Sequence, residues 1–194
     1  FDAGLPSVEA TSFVSPKAVP QMADADVLLP RVKVPAKARL SVLVPNLRGL
    51  ERAAHAGATE VAVVLSATDT MNRKNIAMDL SVATSTCVAV LEQAGKLGLA
   101  SRAYVAVAFE CPFEGLTSPA RVLDLAVRMS DAGAGEIVLA DTIGAAAPAR
   151  ELSLILRQGC PTASGLEACR AFLHERVYRL TVIVGLVRNR LVHR

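Results

Sequence analysis

Five short aliphatic runs, each separated from the next by a segment with helical features, constrain this chain more than anything else in it. The runs are residues 6–13 (PSVEATSF), 39–45 (RLSVLVP), 60–67 (EVAVVLSA), 102–109 (RAYVAVAF) and 136–141 (EIVLAD). Each is β-branched or alanine-rich and is bounded by polar residues, glycine or proline, as strands are. Helices are expected at 47–56, stopping at Gly57, and at 81–97, stopping at Gly98. A third should run from Ser118 as N-cap, with Pro119 in the first turn, to Ala132, before Gly133. The text "AGATEVAVV" parallels "AGAGEIVLA", an echo of one repeated unit: helix, glycine stop, acidic residue, buried strand.

Strands that alternate with helices lie in a parallel sheet, and strands covered on both faces read as unbroken aliphatic text. Composition agrees, because 52% of the 194 residues are hydrophobic and tryptophan is absent, so the core must rest on Ala, Val, Leu and Ile. Neither G-x-G-x-x-G nor G-x-x-x-x-G-K-[ST] occurs, which removes the commonest reasons to choose an open, doubly wound sheet. The expected fold is therefore α/β, a partial (β/α)8 TIM barrel of about five parallel strands. A complete barrel needs about 250 residues, and the first residue is Phe1 rather than Met, so a fragment is expected. Residues 1–150 form the partial barrel domain in this reading, and 151–194 a divergent basic tail. From Leu156 the rhythm is lost, and "ERVYRLTVIVGLVRNRLVHR" reads equally as a helix or as strand–turn–strand.

Charge divides along the same boundary. Residues 1–150 carry 14 Lys+Arg against 15 Asp+Glu, whereas 151–194 carry 7 against 3. No aromatic–basic interleaving accompanies the basic tail, so no nucleic-acid partner is expected. The apolar stretch 180–187 is far shorter than a bilayer requires, so no membrane partner is expected either. Cys87, Cys111, Cys160 and Cys169 form no C-x-x-C pair and no secretory signal is visible, which points to reduced thiols and a cytoplasmic location.

Function in such barrels sits at the C-terminal ends of the strands. Carboxylates occur at or near four of those ends: Glu9, Asp69, Glu110 or Glu114, and Asp141. Loop or capping roles suit Asp69, Glu110 and Glu114. Glu9 and Asp141 lie within or at the end of apolar runs, where a charge must be paired or functional.

Five collinear segments carry a family resemblance: "VEATSFVSPKAVPQM", "VPNLRGLERAAHAGATEV", "RKNIAMDLS", "RAYVAVAFECPFEG" and "EIVLADTIG". Over roughly residues 5–150 the chain resembles the 3-hydroxy-3-methylglutaryl-CoA lyases. That resemblance implies retro-Claisen cleavage of an acyl-CoA substrate to acetyl-CoA and acetoacetate, assisted by Mg2+ or Mn2+. It implies Glu9 and Asp141 as catalytic residues, with Asn75, Tyr104 and Thr142 lining the coenzyme A side. Val138 stands where the family often has Ser.

The resemblance also defines what to look for and not find. The family's arginine and metal-binding aspartate lie in an R-D-G-L-Q motif, and its metal-binding histidines in an H-x-H. This chain has His55, His174 and His193 and neither motif. No metal-ligating residue is assigned, and the chain by itself is expected to bind no catalytic cation and to be inactive. Gly165-Leu166-Glu167-Ala168-Cys169 only faintly echoes the family's acid-bearing loop. The alternative is a non-catalytic partial barrel or interaction protein. In either case, open sheet edges at 6–13 and 136–141 are expected to favour homo-oligomers or poor solubility, unless the tail covers one of them.

Overall fold

A computed structural model of the chain describes residues 4–145 and, for the backbone alone, 180–184. Its strands are β1 (Ser7–Ser12), β2 (Arg39–Leu43), β3 (Glu60–Ser66), β4 (Ala100–Ala106), β5 (Glu110–Cys111), β6 (Gly115–Leu116), β7 (Glu136–Asp141) and β8 (Leu180–Val184). The helices are α1 (Ala25–Leu28), α2 (Leu47–His55), α3 (Asp69–Ile76), α4 (Leu80–Lys96) and α5 (Pro119–Asp131). One six-stranded parallel sheet runs β1-β2-β3-β4-β7-β8, and β5 and β6 form a small antiparallel hairpin.

The expected five strands are all present and in sequence order. The count needs one correction, because a sixth comes from the tail. Leu180–Val184 pairs along the whole of β7, from Ile137↔Leu180 to Asp141↔Val184. The run Thr181-Val182-Ile183-Val184 is β-branched, which suits a strand, and the outer edge of β7 offers unpaired backbone groups to receive it. The expected open edge at 136–141 is therefore covered, while among the described residues β1 pairs with β2 alone. The rest of 151–194, with Cys160, Cys169, His174 and His193, lies outside the described residues.

Strand alternation sorts the side chains into two layers. Val61, Val63, Leu65, Ala103, Val105, Ile137 and Leu139 join Leu50, Val90, Leu91, Leu125 and Met129 in one buried cluster between sheet and helices. Residues of the other parity stand outside that cluster, including the buried Ala62 and Val138. They face the concave side of the sheet, which in a closed barrel would be its interior.

The helix stops are as expected. Gly57 and Gly133, at equivalent places in the repeated unit, have φ of +87° and +101°, the left-handed region in which glycine carries no Cβ penalty. Ser118 holds the N-cap position of α5, but its side chain makes no capping hydrogen bond. Helix α3 was not foreseen. Its sequence DTMNRKNI lacks a continuous apolar stripe, and polar contacts hold it alongside the partly buried Met71 and Ile76. Glu114 accepts from Thr70 N at 2.7 Å, and Asp69 from Leu80 N at 2.9 Å. The capping roles expected of these two carboxylates are thus realised.

Candidate active site on the concave face

Glu9 is the third residue of β1 and pairs in register with Ser41 of β2. Between Glu9 and Thr11 the register shifts, so that Thr11 lies opposite Val42 and Ser12 opposite Leu43. A bulge of one residue, Ala10, turns Thr11 to the helix side while Glu9 stays on the concave side. Because β1 continues through Ser12, Glu9 sits below the C-terminal edge of the sheet. The expectation that it would lie at that edge with Asp141 is corrected to that extent.

On the concave face Tyr104 of β4 reaches across to β1 and donates its hydroxyl to Glu9 Oε2 at 3.2 Å. The two strands are separated by β2 and β3, so the contact spans the hollow of the curved sheet. Glu9 is exposed to that hollow, yet the protein walls around it desolvate its carboxyl and push its pKa above the ordinary glutamate value. The Tyr104 hydrogen bond and the Arg102 charge pull it back, and Glu60 pushes it further up. Tyr104 is raised too, by burial first and then by the charge of Glu9. Ser41, fully buried beside Glu9 in register, has a hydroxyl with no hydrogen-bond partner among the described residues.

A raised folded-state pKa means that the unfolded chain ionises Glu9 more readily. Stability from this group is present below the unfolded value and is lost as pH rises through the folded one. Glu9→Gln, which keeps an acceptor for Tyr104, should therefore gain stability over the native chain at neutral pH and lose that advantage at pH near 4. Urea unfolding at both pH values would check this, and an equal difference at both would contradict it.

Asp141 ends β7 and is buried, and its Oδ1 accepts from Gly144 N at 2.9 Å and Ala145 N at 3.1 Å. Its carboxylate thus shapes the turn that leaves the sheet. Thr142 follows and accepts from Val107 N at 2.8 Å, while Thr117 donates to Val107 O at 2.7 Å. Val107 needs both. Fully buried just past the end of β4, it has φ of +48°, an uncommon and strained conformation for a β-branched residue. Thr142→Val would leave the Val107 N–H without a partner, at a cost of about 1–3 kcal/mol. Thr142→Ser should recover most of that in denaturant melts. Asn75 is exposed on α3.

Sequence reasoning missed the ionic network under this hollow. Glu60 and Glu136 open β3 and β7, and both are buried. Arg39 contacts Glu60 at 3.3 Å and Glu136 at 3.0 Å. Arg102 pairs with Glu60 through Nε at 2.9 Å and with Glu136 at 3.4 Å. Burial alone would lower the Arg102 pKa, but its contacts to Glu60, Tyr104 and Glu136 outweigh that and hold it charged. The signal was present in part: both glutamates occupy the acidic position of the repeated "AGA-x-E" text.

The carboxylates on hand do not make a divalent cation site. Mg2+ takes hard oxygen ligands in near-octahedral array, and among the described residues no three His, Cys, Asp or Glu side chains converge. Glu9 is engaged by Tyr104 and Asp141 by backbone N–H groups. His55 is exposed on α2, with Nδ1 2.8 Å from Glu51 O. Cys111 is buried and receives the Thr68 hydroxyl at 3.1 Å, and burial pushes the Cys87 thiol up to about 12.

Comparison with known proteins identifies the family and the fold. The HMGL-like family model matches residues 2–161. The mitochondrial hydroxymethylglutaryl-CoA lyase of Rattus norvegicus is 43% identical over 148 residues, covering 76% of this chain and 45% of that protein. The cytoplasmic 3-hydroxy-3-methylglutaryl-CoA lyase of Danio rerio is 43% identical over 141 residues, 73% of this chain and 42% of its own length. The chain thus spans a little under half the length of these curated relatives. The crystal structure of HMG-CoA lyase from Brucella melitensis superposes with a TM-score of 0.76 at 31% identity, covering 92% of this chain and 68% of that one. An HMG-CoA lyase from Acenitobacter baumannii, solved in complex with coenzyme A and 3-methylmalate, gives 0.72 at 31% identity, covering 92% and 63%. The parallel sheet is accordingly an arc of a TIM barrel, and the chain belongs to the HMGL-like family.

Proposed function

We propose that the concave face centred on Glu9 and Tyr104 is the substrate-facing part of a hydroxymethylglutaryl-CoA lyase site. The reaction would be retro-Claisen cleavage of an acyl-CoA to acetyl-CoA and acetoacetate. The observation that carries this reading is the Tyr104–Glu9 hydrogen bond across the hollow, made by two residues from separate family-like segments. In this reading Glu9, its pKa pushed above the ordinary glutamate value by desolvation, orients polar groups against the substrate. Thr142 and Asp141 hold the rim where the reacting carbons would lie, and Asn75 and Tyr104 line the coenzyme A side. A cytoplasmic location is part of the proposal. Relatives carry both cytoplasmic and mitochondrial names, and no helix among the described residues is long and apolar enough to cross a membrane.

Mg2+ or Mn2+ would supply the Lewis acid such a cleavage needs, but the described residues do not fit a cation, so residues 1–194 alone are proposed to turn over no substrate. Incubating the chain with hydroxymethylglutaryl-CoA and Mg2+, and measuring acetyl-CoA release, tests this. Release at a rate dependent on Glu9 would support the site and overturn the inactivity. A second reading, a non-catalytic partial barrel that associates with copies of itself, is favoured by the edge of β1, which among the described residues pairs with β2 alone.

A further inference from the structure

We propose that Ser41 of β2 is a positioning residue for Glu9, donating its hydroxyl to Glu9 Oε1 when that carboxyl is ionised. Strand register sets Ser41 between two carboxylates, with Glu9 of β1 on one side and Glu60 of β3 on the other. Ser41 is also fully buried, between Leu40 and Val42, yet its hydroxyl has no hydrogen-bond partner among the described residues.

A buried hydroxyl without a partner costs stability, so its presence calls for an acceptor. Leu40 and Val42 belong to the helix-side cluster, and alternation therefore turns Ser41 to the concave side, where Glu9 and Glu60 stand. The two carboxylates are not equivalent. Both Glu60 oxygens are engaged by guanidinium groups, Oε1 by Arg102 and Oε2 by Arg39. Glu9 accepts from the Tyr104 hydroxyl on Oε2, and among the described residues no donor reaches its Oε1. Ser12, the other buried hydroxyl without a partner, lies in register with Leu43 and has no carboxylate opposite it on β2.

A serine hydroxyl turns between staggered positions about one bond, so meeting Oε1 takes a rotamer change rather than a strand movement. The charge on Glu9 makes that change favourable. Desolvation works against the ionised carboxyl, the Tyr104 bond and the Arg102 charge favour it, and Glu60 opposes it. Arg39, on the same face, is held by Glu60 and Glu136. Ser41 supplies the second donor that an ionised Glu9 lacks. With Tyr104 on one oxygen and Ser41 on the other, the plane of the carboxylate is fixed, as orienting polar groups against a substrate requires. That purpose rests on the lyase reading of Glu9, whereas the pairing is read on Glu9 itself, without turnover.

NMR titration of the glutamate carboxyl carbons in the whole chain tests it, with Glu9→Gln identifying the Glu9 signal. Ser41→Ala should raise the Glu9 midpoint by about one pH unit, because a hydrogen bond to the charged form is lost. Ser41→Thr, which keeps the hydroxyl on a side chain that strands favour, should restore the native midpoint. Ser12→Ala should leave it in place. Stability follows the same sign: Ser41→Ala should match the native chain below the Glu9 midpoint and fall behind it above. A serine with a merely structural role would give one difference at both pH values. An unmoved Glu9 midpoint in Ser41→Ala, an equal rise in Ser12→Ala, or a threonine variant that titrates like alanine would overturn the pairing. No substrate enters these measurements, so a failure to cleave an acyl-CoA bears on the lyase reading alone.

Discussion

Arg102→Met should destabilise the fold by about 3–5 kcal/mol, the range for breaking a buried ion pair by removing one partner. The reason is not the attraction lost but the charge left behind. Glu60 and Glu136 are more than nine-tenths buried, and Arg102, itself 11% exposed in its side chain, lies deeper than Arg39, the other cation that pairs with them among the described residues. Arg39 would still touch both glutamates, but its side chain is 44% exposed, and water screens its contribution. Arg39→Met should therefore cost about 1 kcal/mol or less, and that contrast is the informative part of the experiment. Replacing Glu60, Arg102 and Glu136 together by apolar residues of similar volume should cost far less than Arg102→Met alone. Chemical denaturation of the variants would measure all three, and equal losses for Arg39 and Arg102 would contradict the buried-charge account.

Asn72→Leu is expected to cost about 3 kcal/mol or more, although the position looks unremarkable in the sequence. Asn72 is fully buried and closes the turn from β3 into α3. Its Oδ1 accepts from Ser66 N at 2.8 Å, and its Nδ2 donates to Ser66 O at 2.7 Å and Thr68 O at 2.9 Å. Leucine would fill the space and take the side-chain partners from Ser66 N and Ser66 O, at about 1–3 kcal/mol each before relaxation, while Thr68 O would keep the backbone N–H of residue 72 at 3.2 Å. Asn72→Asp would restore only the acceptor and would set a carboxylate against two carbonyl oxygens, so it should be no better. Hydrogen exchange at Ser66 N should speed up in both variants. A loss below about 1 kcal/mol for Asn72→Leu would mean that the turn is held by something else.

These two cases mark where the sequence could be read and where it could not. Strands such as Glu136–Asp141 and the stops at Gly57 and Gly133 were legible because period, β-branching and backbone freedom act locally. The partners of Glu60 and Glu136 were not, since Arg39 and Arg102 lie many residues away and meet them only through sheet register. Helix α3 was illegible for a related reason: with no continuous apolar stripe it carries no periodic signal, and Glu114, which caps it, comes from the β5–β6 hairpin. Leu180–Val184 left helix and strand open because a short apolar run supports either, and pairing with β7 decides it. Within the candidate site, Glu9 and Tyr104 were singled out by different arguments, and only the curvature of the sheet joins them. Asp141 and Thr142 were placed at the rim, but their bonds to the turn and to Val107 depend on backbone geometry that no motif announces.

Among the described residues, the groups proposed to face the acyl-CoA stand without a cation site, and that is the central claim. Titrating Mn2+ into the purified chain and following the free-ion signal by electron paramagnetic resonance tests that claim most directly. The signal is predicted to grow in proportion to the metal added, as in buffer alone. Loss of one equivalent of free Mn2+ per chain at micromolar concentrations would contradict it.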